Sequence, residues 1–191
     1  MLNNCARKDD SMSTDARVRY TKKMIRDSLF DCLKEKPLMN VTVREVCDRA
    51  GINRATFYYH YKDCHDVVEQ LENEQIEEFR QILTENEKFG VKLTQSILDM
   101  LEKNRALNDA VVMGQISDTM KFRMMEVFRQ YSFADWKKKM AKATDEQVEM
   151  MLSSVAAAVF QIAVTESGTY DRHATVLFIH NLVSSAISVY V

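Results

Sequence analysis

The chain has 191 residues, room for a small helical head and a larger helical body but not for two enzyme-sized domains. With 4 Gly and 1 Pro it lacks the punctuation that hairpins need, and its 12 Met alongside Leu, Glu and Lys favour long helices, so the composition predicts an all-α fold. The net charge of −2 speaks against a nucleic-acid partner only until it is divided: residues 1–64 carry 13 basic and 9 acidic side chains, whereas residues 65–191 carry 13 and 19.

Residues 1–16 are mostly polar and contain no apolar stretch, so they read as a disordered arm and not as a signal peptide or an anchor. The most apolar later segment, residues 155–164, is interrupted by Gln161 and followed by Glu166, and reads as too broken to cross a bilayer. Cys5, Cys32, Cys47 and Cys64 stand at wide spacings; in a chain that reads as cytoplasmic they are expected to be reduced thiols.

The first helix is predicted over residues 21–36, where Ile25, Leu29 and Leu33 recur at four-residue steps until Pro37 stops the run. Thr42 and Glu45 form a T-x-x-E capping box that opens a second helix, with Val43, Val46, Cys47 and Ala50 as its buried stripe. Gly51 falls where that helix must end and supplies the left-handed residue after a last turn. Asn53 then caps a short helix over residues 54–61. Cap, stripe, turn glycine and second cap in register predict a helix-turn-helix.

Asp66 and Glu69 read as a further cap, opening a long helix through Val67, Val68, Leu71, Ile76, Phe79, Ile82 and Leu83. Further helices are predicted over residues 91–103, 115–131, 145–167 and 171–190. The expected organisation is an arm over 1–16, a helix-turn-helix domain over 17–64 and a helical body over 65–191.

The string from Val41 to Val68, VTVREVCDRAGINRATFYYHYKDCHDVV, resembles the signature of the TetR family of transcriptional regulators. The resemblance implies a three-helix DNA-binding head and a dimerising helical body that holds an effector pocket. By that likeness Thr42 and Arg44 on the second helix, and Asn53, Arg54, Ala55 and Tyr58 on the third, face double-stranded operator DNA. Thr56, Tyr59 and His60 are expected on phosphate, with Phe57 and Tyr61 in the core. An Arg fork can clamp guanine O6 and N7, and a helix N-terminus attracts phosphate through its free N–H groups. The family commonly carries a phosphate-contacting Lys where this chain has Cys64, and Lys62 is the nearest substitute.

His60, Cys64 and His65 lie close in sequence, but no further ligand is spaced to close a tetrahedron, so no metal is expected. A helix N-terminus at Cys64 would lower its thiol pKa and suit a redox role. In the body, Met100, Met113, Phe122, Met125 and Trp136 are candidates to line a pocket for a small hydrophobic effector. Val155, Val159 and Ile162 on one helix, with Ile179, Val183 and Ile187 on the last, are candidates for a homodimer interface, and His173 and His180 for hydrogen bonds within it. No paired nucleophile and base, phosphate loop or carboxylate pair points to an enzyme, and no cofactor is expected.

Overall fold

Helices account for every regular element among the described residues, which are 6–86, 89–165 and 170–190 of this computed structural model. In chain order they are α1 (Ala6–Leu33), α2 (Val43–Ala50), α3 (Arg54–His60), α4 (Cys64–Glu85), α5 (Val91–Lys103), α6 (Arg105–Val112), α7 (Thr119–Lys139), α8 (Asp145–Phe160) and α9 (Arg172–Ser188). A 3-10 turn at Leu38–Asn40 follows α1, and a π turn at Gln161–Thr165 continues α8. The all-α expectation holds. The chain divides into two compact units, Met1–Gln70 and Leu71–Val191.

In the first unit, α1 begins at Ala6, inside the stretch expected to be an arm; residues 1–5, with Cys5, lie outside the described residues. Neither Gly nor Pro occurs between Ala6 and Leu33, so nothing in the sequence interrupts the helix on that side. At its other end α1 stops at Leu33, ahead of Pro37. Ile25, Leu29, Cys32 and Leu33 meet Val46, Cys47 and Ala50 of α2 and Phe57 of α3 in a core from which water is excluded.

The start of α4 differs from the sequence reading. Asp66 does not cap it with Glu69; the helix opens at Cys64, and Asp63 Oδ1 accepts the Asp66 N–H at 2.8 Å. Asp66 reaches back to accept the Lys62 N–H at 2.8 Å, one residue before Asp63, so two backbone donors are satisfied by the aspartate pair.

The second unit is built from the remainder of α4 and from α5 to α9. α7 lies along α8, and α5 packs on α9. Trp136, Met100, Met120, Met140, Leu152 and Ile179 are its most deeply buried large side chains. The α6 helix had no counterpart in the sequence reading: Leu107, Ala110 and Val111 give it only one short buried stripe. The seventh helix starts at Thr119 and runs on to Lys139, past the expected end, because Trp136 anchors its last turn in the core.

α8 opens with a capping box of its own, in which Gln147 N–H donates to Thr144 Oγ1 at 3.3 Å and Thr144 N–H to Gln147 Oε1 at 2.8 Å. By length and composition the segment Asp145–Val164 has the apolarity of a membrane span, although the sequence reading saw none. Val148, Leu152, Val155 and Val164 of this segment are buried in the body. The α9 helix is capped by Asp171, whose Oδ1 accepts the Ala174 N–H at 2.9 Å.

Candidate nucleic-acid interface and ligand pocket

The geometry of the head begins with Thr42. Its backbone N–H donates to Glu45 Oε2 at 2.9 Å, its hydroxyl donates to the same oxygen at 2.8 Å, and Glu45 N–H returns a bond to Thr42 Oγ1 at 3.3 Å. Lys36 Nζ holds the other carboxylate oxygen at 2.5 Å. The Lys36 ammonium, aided by the Thr42 donors, lowers the Glu45 carboxyl to about 2. Thr42 is therefore committed to the cap of α2.

Gly51 ends α2 with φ 64° and ψ 31°, a left-handed conformation that costs a residue with a Cβ more than it costs glycine. Asn53 caps α3 two residues later, its Oδ1 accepting Thr56 N–H at 2.8 Å and the Thr56 hydroxyl at 3.0 Å. The tight turn leaves α3 with two unlike sides. Phe57 and Tyr61 are buried, whereas Arg54, Ala55, Tyr58 and Tyr59 are exposed, Tyr59 to 80%. Two large aromatic side chains on the outer side of a seven-residue helix are an expensive arrangement in water unless they meet a partner.

Tyr61 fixes this helix from beneath. Its hydroxyl accepts a bond from Arg26 Nε at 3.2 Å, and Lys22 Nζ lies 5.5 Å from its ring centroid. His60 stacks edge-on against Tyr59 with centroids 4.9 Å apart; burial and the Lys22 charge lower its pKa. Lys22 thus stands beside the end of α3, a placement that sequence reasoning missed because it lies on a different helix with no shared motif.

The surface cations of the head fall into two groups. Arg44 faces Asp48 at 3.6 Å, Arg49 pairs with Glu35 at 2.7 Å, and Lys36 is held by Glu45. Arg54 and Lys62 form no ion pair among the described residues and are exposed. Cys64, at the position where a Lys was expected, turns into the core. Burial, with Asp63 alongside, pushes its thiol up to about 12, which removes the redox role that a helix N-terminus suggested.

In the body, α4, α5, α7, α8 and α9 line a half-open apolar pocket whose free space is about 60 Å³. Small-molecule sites run to roughly 300–1,000 Å³, so a ligand would have to part these walls. Of the five residues proposed from sequence, only Met125 lines it. Met100 is a core residue and Met113 is exposed to 62%; Trp136, also buried, lines a separate cleft with Leu83, Leu93 and Tyr131, and Phe122, exposed to 60%, lines another with Met125. Their neighbours on the same helices, Met124 and Phe128 of α7 and Leu98 and Leu101 of α5, form the walls instead. A hydropathy pattern marks apolar residues but cannot distinguish the wall of a void from filled core.

Val155, Ile179 and Val183 are buried within the body and Val159, Ile162 and Ile187 half-buried, with Val155, Val159 and Ile179 lining the pocket. The apolar groups left in water on the same two helices include Met150 and Ala157 of α8 and Leu177 and Phe178 of α9. His173 is exposed, and His180 stacks parallel to Phe89 with centroids 6.2 Å apart.

Residues 25–71 match the family model described as bacterial regulatory proteins, tetR family. No curated protein matches the chain. Among solved structures, the dihydroxyacetone kinase operon activator DhaS is 16% identical with a TM-score of 0.58, over 89% of this chain and 97% of that one. A candidate transcriptional regulator from Pseudomonas aeruginosa PAO1 is 15% identical with a TM-score of 0.60, over 87% and 90%. At these identities the likeness is one of fold.

Proposed function

We propose that this chain, a member of the TetR family by its residues 25–71, is a dimeric repressor that binds a palindromic operator and is released by a small-molecule effector. Members of the family are DNA-binding transcriptional regulators; repression and release by an effector are our reading. The observation that carries it is the split character of α3, which buries Phe57 and Tyr61 and presents Arg54, Ala55, Tyr58 and Tyr59 together. Arg54, unpaired by any carboxylate among the described residues, is the residue assigned to a base edge, with Arg44 and Asn53 beside it in that role. Lys62, Lys22, Thr56, Tyr59 and His60 are assigned to phosphate, and Thr42 to holding the helix that meets it.

The second copy is assigned to the outer sides of α8 and α9. Met150, Ala157, Leu177 and Phe178 are apolar and exposed there, and a two-fold pairing of these helices covers them. Two recognition helices then enter successive major grooves about 34–36 Å apart, and a ligand in the body that favours a different spacing of the heads lowers affinity for DNA.

Selection of bound sequences from a random double-stranded pool tests the reading. Recovery of a palindrome with half-sites one helical turn apart is expected. Enrichment of no sequence favours a regulator of the same fold that acts through a protein partner or as a co-activator. The α4 edge speaks for that alternative, since it carries Asp63 and Asp66, with Cys64 buried and only Lys62 to attract phosphate. DhaS, of similar fold, is named as an operon activator.

A further inference from the structure

We propose that the body pocket takes an amphiphilic carboxylate, with its hydrocarbon part between α5 and α7 and its acid group at Lys121. The inference rests on the effector reading above and specifies the chemistry of the ligand.

Of the residues lining the pocket, all but Thr94 and Lys121 are apolar. The Thr94 hydroxyl is already spent, donating to the Gly90 carbonyl at 3.2 Å. Among the described residues this leaves the Lys121 ammonium as the one ionisable group of the wall. It forms no ion pair among the described residues; its neighbour is the Phe160 ring, 5.3 Å away at the centroid, which also lines the pocket. Asp118, three residues back, exchanges only a backbone bond with it, Lys121 N–H to Asp118 O at 3.0 Å.

The Lys121 side chain is half-buried, with an aromatic face but no carboxylate partner among the described residues, and the apolar wall strengthens its attraction to an incoming anion. Lys121 also stands in the first turn of the 21-residue α7, which contains no acidic side chain, although the N-cap residue Asp118 carries one just before it. Met124, Met125 and Phe128, which follow Lys121 on α7, also line the pocket, and the two flexible methionines must shift to admit an alkyl or arylalkyl body into its free space of about 60 Å³. A neutral hydrocarbon would fill the void but leave the ammonium uncompensated. A cation would meet repulsion at that mouth.

Calorimetric titration of the full-length protein at pH 7.5 with decanoate and with 1-decanol tests the assignment. Decanoate is expected to bind about tenfold more tightly, the size of one charge-assisted pairing. Lys121→Met is expected to abolish this preference while still binding decanol, which shows that the pocket has kept its shape, and Lys121→Arg to retain it. Equal affinities in the unaltered protein, or a preference that survives Lys121→Met, overturn the assignment. Binding of neither compound overturns it together with the effector reading. A preference for decanoate with no loss of operator affinity supports the assignment and sinks the effector reading alone.

Discussion

Arg26 Nε donates to the Tyr61 hydroxyl at 3.2 Å, so a side chain of α1 holds the residue on which the recognition helix ends. Tyr61→Phe keeps the buried ring and removes this bond, and is expected to cost about 1 kcal/mol in denaturant unfolding. Tyr61→Ala also empties the space beneath α3 and is expected to cost roughly 3–5 kcal/mol, the range for large aromatic truncations. Equal losses for the two variants would show that the hydroxyl, and not the ring, fixes the helix.

The Thr42 cap supports a prediction of both stability and pH dependence. Thr42→Ala is expected to destabilise the head by about 1 kcal/mol. The Glu45 carboxyl is lowered from 4.5 to about 2, so its contribution is complete above its unfolded pKa and is lost as pH falls through the window between these values. Thermal unfolding followed from pH 6 to pH 2 should show a smaller acid-dependent decline for Glu45→Gln than for the unaltered protein. A parallel decline in both removes Glu45 from the account.

Arg54 and Lys62 are expected to behave differently on DNA. Arg54→Ala should weaken operator binding by about 1–3 kcal/mol and relax preference at one base pair, with far less effect on random DNA. Lys62→Ala should weaken binding to both and reduce the slope of log affinity against log salt by about 1. Equilibrium binding at several salt concentrations decides between them, and an equal loss on random DNA for Arg54→Ala would end its role as a base reader.

Phe178 is 57% exposed on α9, a position at which a second copy would bury it. Phe178→Glu is expected to shift sedimentation equilibrium from dimer to protomer mass, since it places a carboxylate in an apolar contact. A dimer that survives this change and its counterpart Leu177→Glu must be held by another surface.

Much of the head was legible because its signals are local. Thr42, Glu45, Gly51 and Asn53 act through their own or adjacent backbone, so their spacing alone dictates the caps and the turn. The α4 start differs because Asp63 and Asp66 offer the same three-residue spacing as Asp66 and Glu69, and the spacing alone does not choose between them. Lys22 was invisible, since its position beside Tyr61 arises from the packing of α1 on α3 and not from any motif. In the body, Met100 and Met125 are alike in sequence terms; tertiary packing puts one in solid core and the other on a void.

The thiols of the head carry a related prediction. Burial raises Cys32 and Cys47 as well as Cys64 above the usual thiol value. Iodoacetamide at pH 8 should therefore leave these three unmodified in the native protein and alkylate them in guanidinium, as read by peptide mass spectrometry. Rapid native labelling of Cys64 would restore it as a reactive group.

The sequence contains 1 Trp, and Trp136 is buried with its ring edge-on to Phe128 at a centroid distance of 6.2 Å. Phe128 in turn forms part of the pocket wall. The molecule thus carries an intrinsic fluorophore one side chain removed from its ligand space, and movement of Phe128 on occupancy would alter the indole's emission. Occupancy could then be followed optically, in the same cuvette as DNA, without attaching a label to a protein whose described thiols are all buried.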